Sequence, residues 1–237
     1  MRLDKFVADA AQLTRSAARG LIAKGRVTVN GQVCKKADCA LREGDSVCAD
    51  GKPLACEEYV YIMLNKPAGV VSASTDGRDK TVVDLVGGAF PRRQLFPAGR
   101  LDKTSTGFVL LTDDGAFAHD ILAPKRHVPK TYRVVLDTPV TDEMVKAFAA
   151  GVTLADGQTM QPARLIPDEA DPFAATVVLR QGVYHQIKRM FGVLDAGVDQ
   201  LHRTAIGGLA LDEGLAPGAW RLITPEEKAL IQAGGEG

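Results

Sequence analysis

The segment Gly99–Gly115 sets turn chemistry against an unbroken apolar run. Gly99-Arg100-Leu101-Asp102-Lys103-Thr104-Ser105-Thr106-Gly107 leads into Phe108-Val109-Leu110-Leu111, and Thr112-Asp113-Asp114-Gly115 closes it. Apolar residues in so short a run, bounded by turn formers, predict a buried strand rather than a lone helix. Asp102 then stands on a loop feeding a rigid strand, where reactive groups tend to be displayed. On spacing alone, Asp102 and Thr104 to Thr106 equally suit an Asx or Ser/Thr turn.

Punctuation along the rest of the chain predicts an alternation of helices and strands. Leu3, Phe6, Val7 and Ala10 have helical spacing, which predicts a helix over 2–11. Thr14 reads as the N-cap of a second helix, Ser16 to Lys24, that stops at Gly25. Arg15 and Arg19 share one face of it. Val27 to Val29, Asn30-Gly31 and Gln32 onward read as a hairpin with a type I′ turn. The polar stretch 49–58 reads as a linker. Strands are then expected over Tyr59 to Leu64, Phe108 to Leu111, Thr131 to Leu136 and Ala175 to Leu179. Thr141-Asp142-Glu143 starts a helix that turns Met144, Val145 and Phe148 inward and ends before Gly151. Ile187, Met190, Phe191 and Leu194 follow an i, i+3, i+4, i+7 pattern, predicting a helix over 185–195. Thr224-Pro225-Glu226-Glu227 is a capping box for a closing helix.

The chain has 237 residues, enough for one or two domains with a substantial core, and 46% of them are hydrophobic. No apolar run approaches membrane-spanning length and the N-terminus lacks a signal peptide's apolar stretch, so a soluble cytoplasmic protein is expected. A formal net charge of zero hides a division. Residues 1–36 carry Arg2, Lys5, Arg15, Arg19, Lys24, Arg26, Lys35 and Lys36 against Asp4 and Asp9, or +6, leaving −6 for the remainder. A basic head on an acidic body suits a grip on nucleic-acid phosphates, although charge alone is equally that of a solvated helix face. Cys34, Cys39, Cys48 and Cys56 fit no usual zinc spacing, and no metal is expected. Neither a Walker loop nor a GxGxxG signature occurs, which fits a site that needs no cofactor.

Gly99-Arg100-Leu101-Asp102 with Thr106-Gly107 resembles the signature of pseudouridine synthases of the RsuA and RluA type. Asn65-Lys66-Pro67-Ala68-Gly69 resembles the loop that opens their catalytic domain, and Lys130-Thr131-Tyr132 their second motif. Tyr184-His185-Gln186-Ile187-Lys188-Arg189-Met190-Phe191 resembles the third, and Leu201-His202-Arg203 with Ile206-Gly207-Gly208 continues the match. Met1-Arg2-Leu3-Asp4-Lys5-Phe6 and Gly25-Arg26-Val27-Thr28-Val29-Asn30-Gly31 resemble an S4 RNA-binding module. The wording of the third motif is closest to the RsuA branch. Lys103-Thr104 and Ser105 depart from the usual pattern beside Asp102 while keeping its polar, turn-forming character.

The resemblance implies an α+β chain. An S4-like domain over 1–56 precedes a catalytic domain over 60–237, built on a mixed, largely antiparallel sheet with flanking helices. It implies conversion of a uridine in rRNA to pseudouridine. The bond from ribose C1′ to N1 breaks, the uracil turns, and C1′ joins C5, without redox chemistry or an energy source. Asp102 is implied as the essential carboxylate, by covalent addition or by proton abstraction. Tyr132 is implied beside the base and Lys188 as the ion-pair partner of Asp102, with Arg189 the alternative partner. Arg100, His185, Arg189 and Arg203 are expected to contact the substrate or line its cleft. Arg2, Lys5, Arg15, Arg19, Lys24 and Arg26 are expected to hold RNA. Leu111-Thr112-Asp113-Asp114-Gly115 and Ala123-Pro124-Lys125-Arg126-His127 point to the enzyme of small-subunit 16S rRNA and its uridine 516. The expected partner is 16S rRNA or a small-subunit assembly intermediate, bound by a monomer. The rival readings are a large-subunit 23S rRNA enzyme and a non-catalytic ribosome-assembly protein.

Overall fold

A computed structural model describes residues 1–42, 44–54, 58–123 and 128–233. Its packing divides the chain at Tyr59/Val60, one unit holding Met1–Tyr59 with Gly87–Gln94 and the other Val60–Val86 with Leu95–Gly237. The excursion at Gly87–Gln94 has no periodicity to announce it. It belongs with the first unit because Arg92 pairs with Asp9 at 3.1 Å and donates to the Leu13 carbonyl at 2.7 Å.

In the first unit, helices α1 (Leu3–Ala10) and α2 (Arg15–Ala23) accompany a four-stranded antiparallel sheet of order β2-β1-β3-β4. Its strands are β1 (Val27–Val29), β2 (Gln32–Val33), β3 (Val47–Ala49) and β4 (Lys52–Leu54). Thr14 Oγ1 accepts the Ala17 N–H at 3.1 Å, capping α2 as its spacing predicts. Leu3, Val7, Ala18, Ile22, Val27 and Val47 make the core. The expected linker over 49–58 is corrected: Ala49 and Lys52–Leu54 are strand residues. Asp50-Gly51 turns them with both φ angles positive, the same device as Asn30-Gly31. Cys34, Cys39 and Cys48 are free thiols, and Cys56 lies outside the described residues.

The second unit runs β5 (Tyr61–Lys66), α3 (Val82–Val86), β6 (Phe96–Pro97), β7 (Thr106–Thr112), α4 (Gly115–Leu122), β8 (Lys130–Leu136) and α5 (Asp142–Ala150). It continues with β9 (Arg164–Pro167), β10 (Ala174–Leu179), α6 (Gln186–Gly192), β11 (Val198–Ile206), β12 (Leu209–Ala210), β13 (Trp220–Leu222) and α7 (Pro225–Ala233). These strands form a mixed sheet of order β13-β5-β7-β11-β8-β10-β9, with β12 on β11 and β6 on β7. Among its described pairings, β7 with β11 is parallel and the others are antiparallel.

Apolar clusters fill the sheet's surroundings. One joins Val134, Val177, Phe148, Met190 and Phe191; another joins Met63, Phe108, Leu110, Ile121 and Ile231. The capping box closes reciprocally, with Glu227 N–H on Thr224 Oγ1 at 3.3 Å and Thr224 N–H on Glu227 Oε2 at 3.0 Å. The predicted helix 185–195 is shorter: α6 starts after His185, which takes a left-handed conformation (φ 51°), and it ends at Gly192 with Val193 as its C-cap.

A single row of cross-strand partners spans the adjacent strands β5, β7, β11 and β8. Lys66 on β5 faces Gly107 on β7, Gly107 faces Arg203 on β11, and Arg203 faces Tyr132 on β8. Gly107 is demanded there. Its φ is +101°, and a Cβ would lie 2.3 Å from the Arg203 carbonyl oxygen.

Candidate active site

The loop before β7 is clamped on both sides of Asp102. Ser72 Oγ donates to the Leu101 carbonyl at 2.9 Å and accepts the Leu101 N–H at 3.0 Å. Arg203 donates Nε to the Phe108 carbonyl at 2.6 Å and Nη1 to the Arg100 carbonyl at 3.4 Å. Lys66 Nζ donates to the carbonyls of Ser105 at 2.6 Å, Lys103 at 3.3 Å and Pro67 at 3.1 Å. The Gly69 N–H also bonds the Lys103 carbonyl, at 2.8 Å. The Asn65–Gly69 motif thus fastens the loop carrying Asp102, and the carboxylate, itself partly exposed, is held on a rigid support.

Two cations are buried under that loop. Lys66 is fully buried and Arg203 is 2% exposed. Burial pushes Lys66 down to about 8; the charge of Asp102 opposes that shift and the charge of Arg203 adds to it. Lys130 is likewise pushed down to about 8 by burial and then by Arg203, while its Nζ donates to the Val128 carbonyl at 2.7 Å. Both lysines have an ordinary value of 10.5, so between about pH 8 and 10.5 the unfolded chain binds protons that the folded chain has released. Their contribution to stability therefore rises with pH through that window. Lys66→Met should show a smaller gain, or larger loss, of Tm between pH 7.5 and 10 than the parent. Parallel Tm–pH curves for the two proteins would contradict this.

Several expected contacts are rearranged. Lys188 does not take the Asp102 carboxylate; its Nζ donates to Thr104 Oγ1 at 3.1 Å, in the same loop. The group on Asp102 is His185, whose Nε2 lies 3.3 Å from Oδ1. His185 takes a left-handed conformation directly ahead of α6, and Lys188 sits in the first turn of that helix. Arg189, the alternative partner, pairs with Asp156 instead. Arg203, expected to contact substrate, is corrected to a supporting position behind the loop, because its guanidinium is buried on backbone carbonyls. Arg100 is exposed beside Asp102.

Tyr132 is partly buried, with the Arg203 guanidinium carbon 5.9 Å from its ring centroid. Two supports escape sequence reasoning. Lys66 reads there only as part of a motif, and no periodicity flags a lysine as buried. Tyr184 is 72% exposed and stacks on His185 with centroids 3.8 Å apart, presenting an aromatic face beside the aspartate's partner. His202, behind them, meets Thr106 Oγ1 at 2.8 Å through Nδ1 and is held below its ordinary pKa by burial and then by Arg133.

The residues read as a substrate signature at the far end of β7 have structural work. Asp114 caps α4 through the Phe117 N–H at 2.9 Å and accepts Tyr61 Oη at 2.6 Å, while Asp113 accepts the Val60 N–H at 2.8 Å. Pro124-Lys125-Arg126-His127 lie outside the described residues. In the first unit, Lys5 and Lys24 are exposed, and Arg26 bonds Asp50 through Nε at 2.6 Å. Arg2, Arg15 and Arg19 gather around Asp4. Among the described residues, no helix is long and apolar enough to cross a membrane, and no group of three or more His, Cys, Asp or Glu is placed to hold a metal ion.

Comparison with known proteins gives this geometry a context. The family model described as RNA pseudouridylate synthase matches residues 60–192, and that of the S4 domain matches residues 1–47. Ribosomal small subunit pseudouridine synthase A of Escherichia coli is 41% identical over 233 residues, covering 98% of this chain and 100% of its own. The protein of that name from Vibrio vulnificus is 42% identical over 228 residues, covering 96% and 97%. An uncharacterized RNA pseudouridine synthase of Bacillus subtilis is 37% identical over 234 residues, covering 98% of each. A solved structure titled as a pseudouridylate synthase superposes with a TM-score of 0.69 at 37% identity, covering 98% of this chain and 99% of that one.

Proposed function

The chain belongs to the RNA pseudouridylate synthase family, with an S4 domain at its head, and we propose that it isomerises a uridine of 16S rRNA, the one at position 516. Full-length likeness to ribosomal small subunit pseudouridine synthase A, 41% over 98% of the chain, is the observation that supports a small-subunit substrate, and the wording of the loop motifs supports the position. The enzyme acts as a monomer in the cytoplasm, on the rRNA itself or on a small-subunit assembly intermediate.

Asp102 is the group that acts on the nucleoside. Breaking C1′–N1 and forming C1′–C5 exchanges a carbon–nitrogen bond for a carbon–carbon bond, while C5 loses a proton and N1 gains one, so the atoms balance within the nucleoside. A carboxylate serves such a site by addition or by taking a proton. Arg203, Lys66 and Ser72 hold the loop, His185 meets the carboxylate, and Lys188 steadies Thr104. The target base must leave its stack to reach Asp102. Tyr132 receives it, the exposed Tyr184–His185 stack offers a second platform, and Arg100 stands ready for a flanking phosphate.

The test is a pseudouridine map of rRNA from cells with and without the gene. Loss at position 516 of 16S rRNA alone is expected. Loss confined to 23S rRNA would move the substrate to the large subunit, and an unchanged map would leave an RNA-binding protein.

A further inference from the structure

Asp4 contradicts the usual placement of an acid. It lies in the first turn of α1 with its side chain fully buried, and the side chains paired with it are cations that remain half exposed. Arg2 donates Nε to Oδ1 at 3.1 Å and Nη2 to Oδ2 at 3.2 Å, Arg19 donates Nε to Oδ2 at 3.0 Å, and Arg15 Nη2 stands 3.9 Å from Oδ1. All three arginine side chains remain about half exposed. Burial works to raise the pKa of Asp4, but the hydrogen bonds of Arg19 and Arg2 and the charges of Arg2 and Arg15 outweigh it, holding the carboxyl below its ordinary value.

Stability is a poor reason for this arrangement. Half-exposed ion pairs contribute little, and a buried carboxylate costs more than an apolar side chain of similar size. What the cluster does achieve is order. Three long side chains, otherwise free to sample many rotamers, are drawn to one point with a surplus of two positive charges. Among the described residues Arg19 commits only its Nε, and Arg15 stands beyond hydrogen-bond distance of Asp4, which leaves planar N–H edges for an outside acceptor.

We propose that Asp4 is a positioning residue that assembles Arg2, Arg15 and Arg19 into one preformed site for an RNA phosphodiester. The inner donors are spent on the carboxylate and the outer ones fork onto phosphate oxygens. Binding then requires little further ordering of side chains. The site rests on reading the head as the RNA grip, and it adds to that reading a residue of the opposite charge.

Charge and positioning predict opposite signs for Asp4→Asn in the full-length protein. Removing a negative charge from a basic surface should by itself tighten RNA binding. If Asp4 positions the arginines, binding to transcribed 16S rRNA should instead weaken, by about fivefold or more, because the forks lose their common anchor. The loss should appear in KM, with kcat at saturating RNA unchanged. Equal or tighter binding by a folded Asp4→Asn protein would overturn the proposal.

A charge-preserving variant, Arg15→Lys with Arg19→Lys, covers the case in which Asp4→Asn fails to fold. It should weaken binding similarly, since lysine keeps the charge without the fork, and parental affinity would overturn the proposed positioning. Replacing Arg2, Arg15 and Arg19 all by Gln separates the two readings. Parental affinity and salt dependence there would remove the RNA role of this face altogether. A weakened triple variant beside a parental lysine pair would remove only the positioning.

Discussion

The Asp102→Asn protein is expected to bind rRNA as the parent does and to form no pseudouridine. The substitution is isosteric, and its neighbours are fastened by backbone contacts that do not involve the carboxylate: Ser72 on Leu101, Lys66 on Ser105, Arg203 on Arg100. What it removes is the oxygen able to add to the nucleoside or take its proton. Turnover should fall by at least about a thousandfold, or ~4 kcal/mol of transition-state stabilisation. Single-turnover release of label from C5 measures it, with filter binding as the control. Turnover within about tenfold of the parent, a loss of only ~1.4 kcal/mol, would remove Asp102 from the chemistry.

A large structural effect is expected at Gly107. Alanine there faces two penalties at once. A φ of +101° is unfavourable for any L side chain, and the new methyl would stand 2.3 Å from the Arg203 carbonyl oxygen and 2.7 Å from its nitrogen. Neither neighbour is a flexible tip that can swing aside; both are backbone atoms of the strand paired in parallel with β7. Gly107→Ala should therefore destabilise by more than ~4 kcal/mol, with activity lost as the Asp102 loop is displaced. Gly115→Ala is the matched control. It opens α4, has nothing within 4 Å of the added methyl, and should be neutral or slightly stabilising. Equal melting temperatures for the two variants would mean that the β7–β11 crossing tolerates a side chain.

The features legible in the sequence are those governed by near neighbours. The Thr14 cap, the Asn30-Gly31 turn, the inward Met144 and Phe148 and the Thr224–Glu227 capping box depend on spacings of one to four residues. The core strand at Phe108–Leu111 is legible for the same reason, and it widens to Thr106–Thr112 once paired. The Asp50-Gly51 turn is equally local, but it lies in a stretch that reads as a linker because its strands are only three residues long. Asp102 stands out through the wording of its loop rather than through any physical periodicity.

Tertiary structure decided which groups meet. Lys66, Gly107, Arg203 and Tyr132 are far apart in the chain and become one row only through strand register, a property of long-range pairing. The ion pair expected between Lys188 and Asp102 gives way to two other contacts. With His185 in the left-handed region, the imidazole reaches the carboxylate and the lysine reaches Thr104. Arg203 reads in the sequence like any arginine of a polar motif, and its burial against carbonyls follows from its place at the centre of the sheet. Asp4 reads as an ordinary first-turn acid, and only packing closes three arginines over it. Spacing along the chain thus determined the elements and singled out the aspartate. The partners of each charge were decided by the fold, because an electrostatic contact depends on distance and burial in space, which residues remote in sequence share only after the strands have paired.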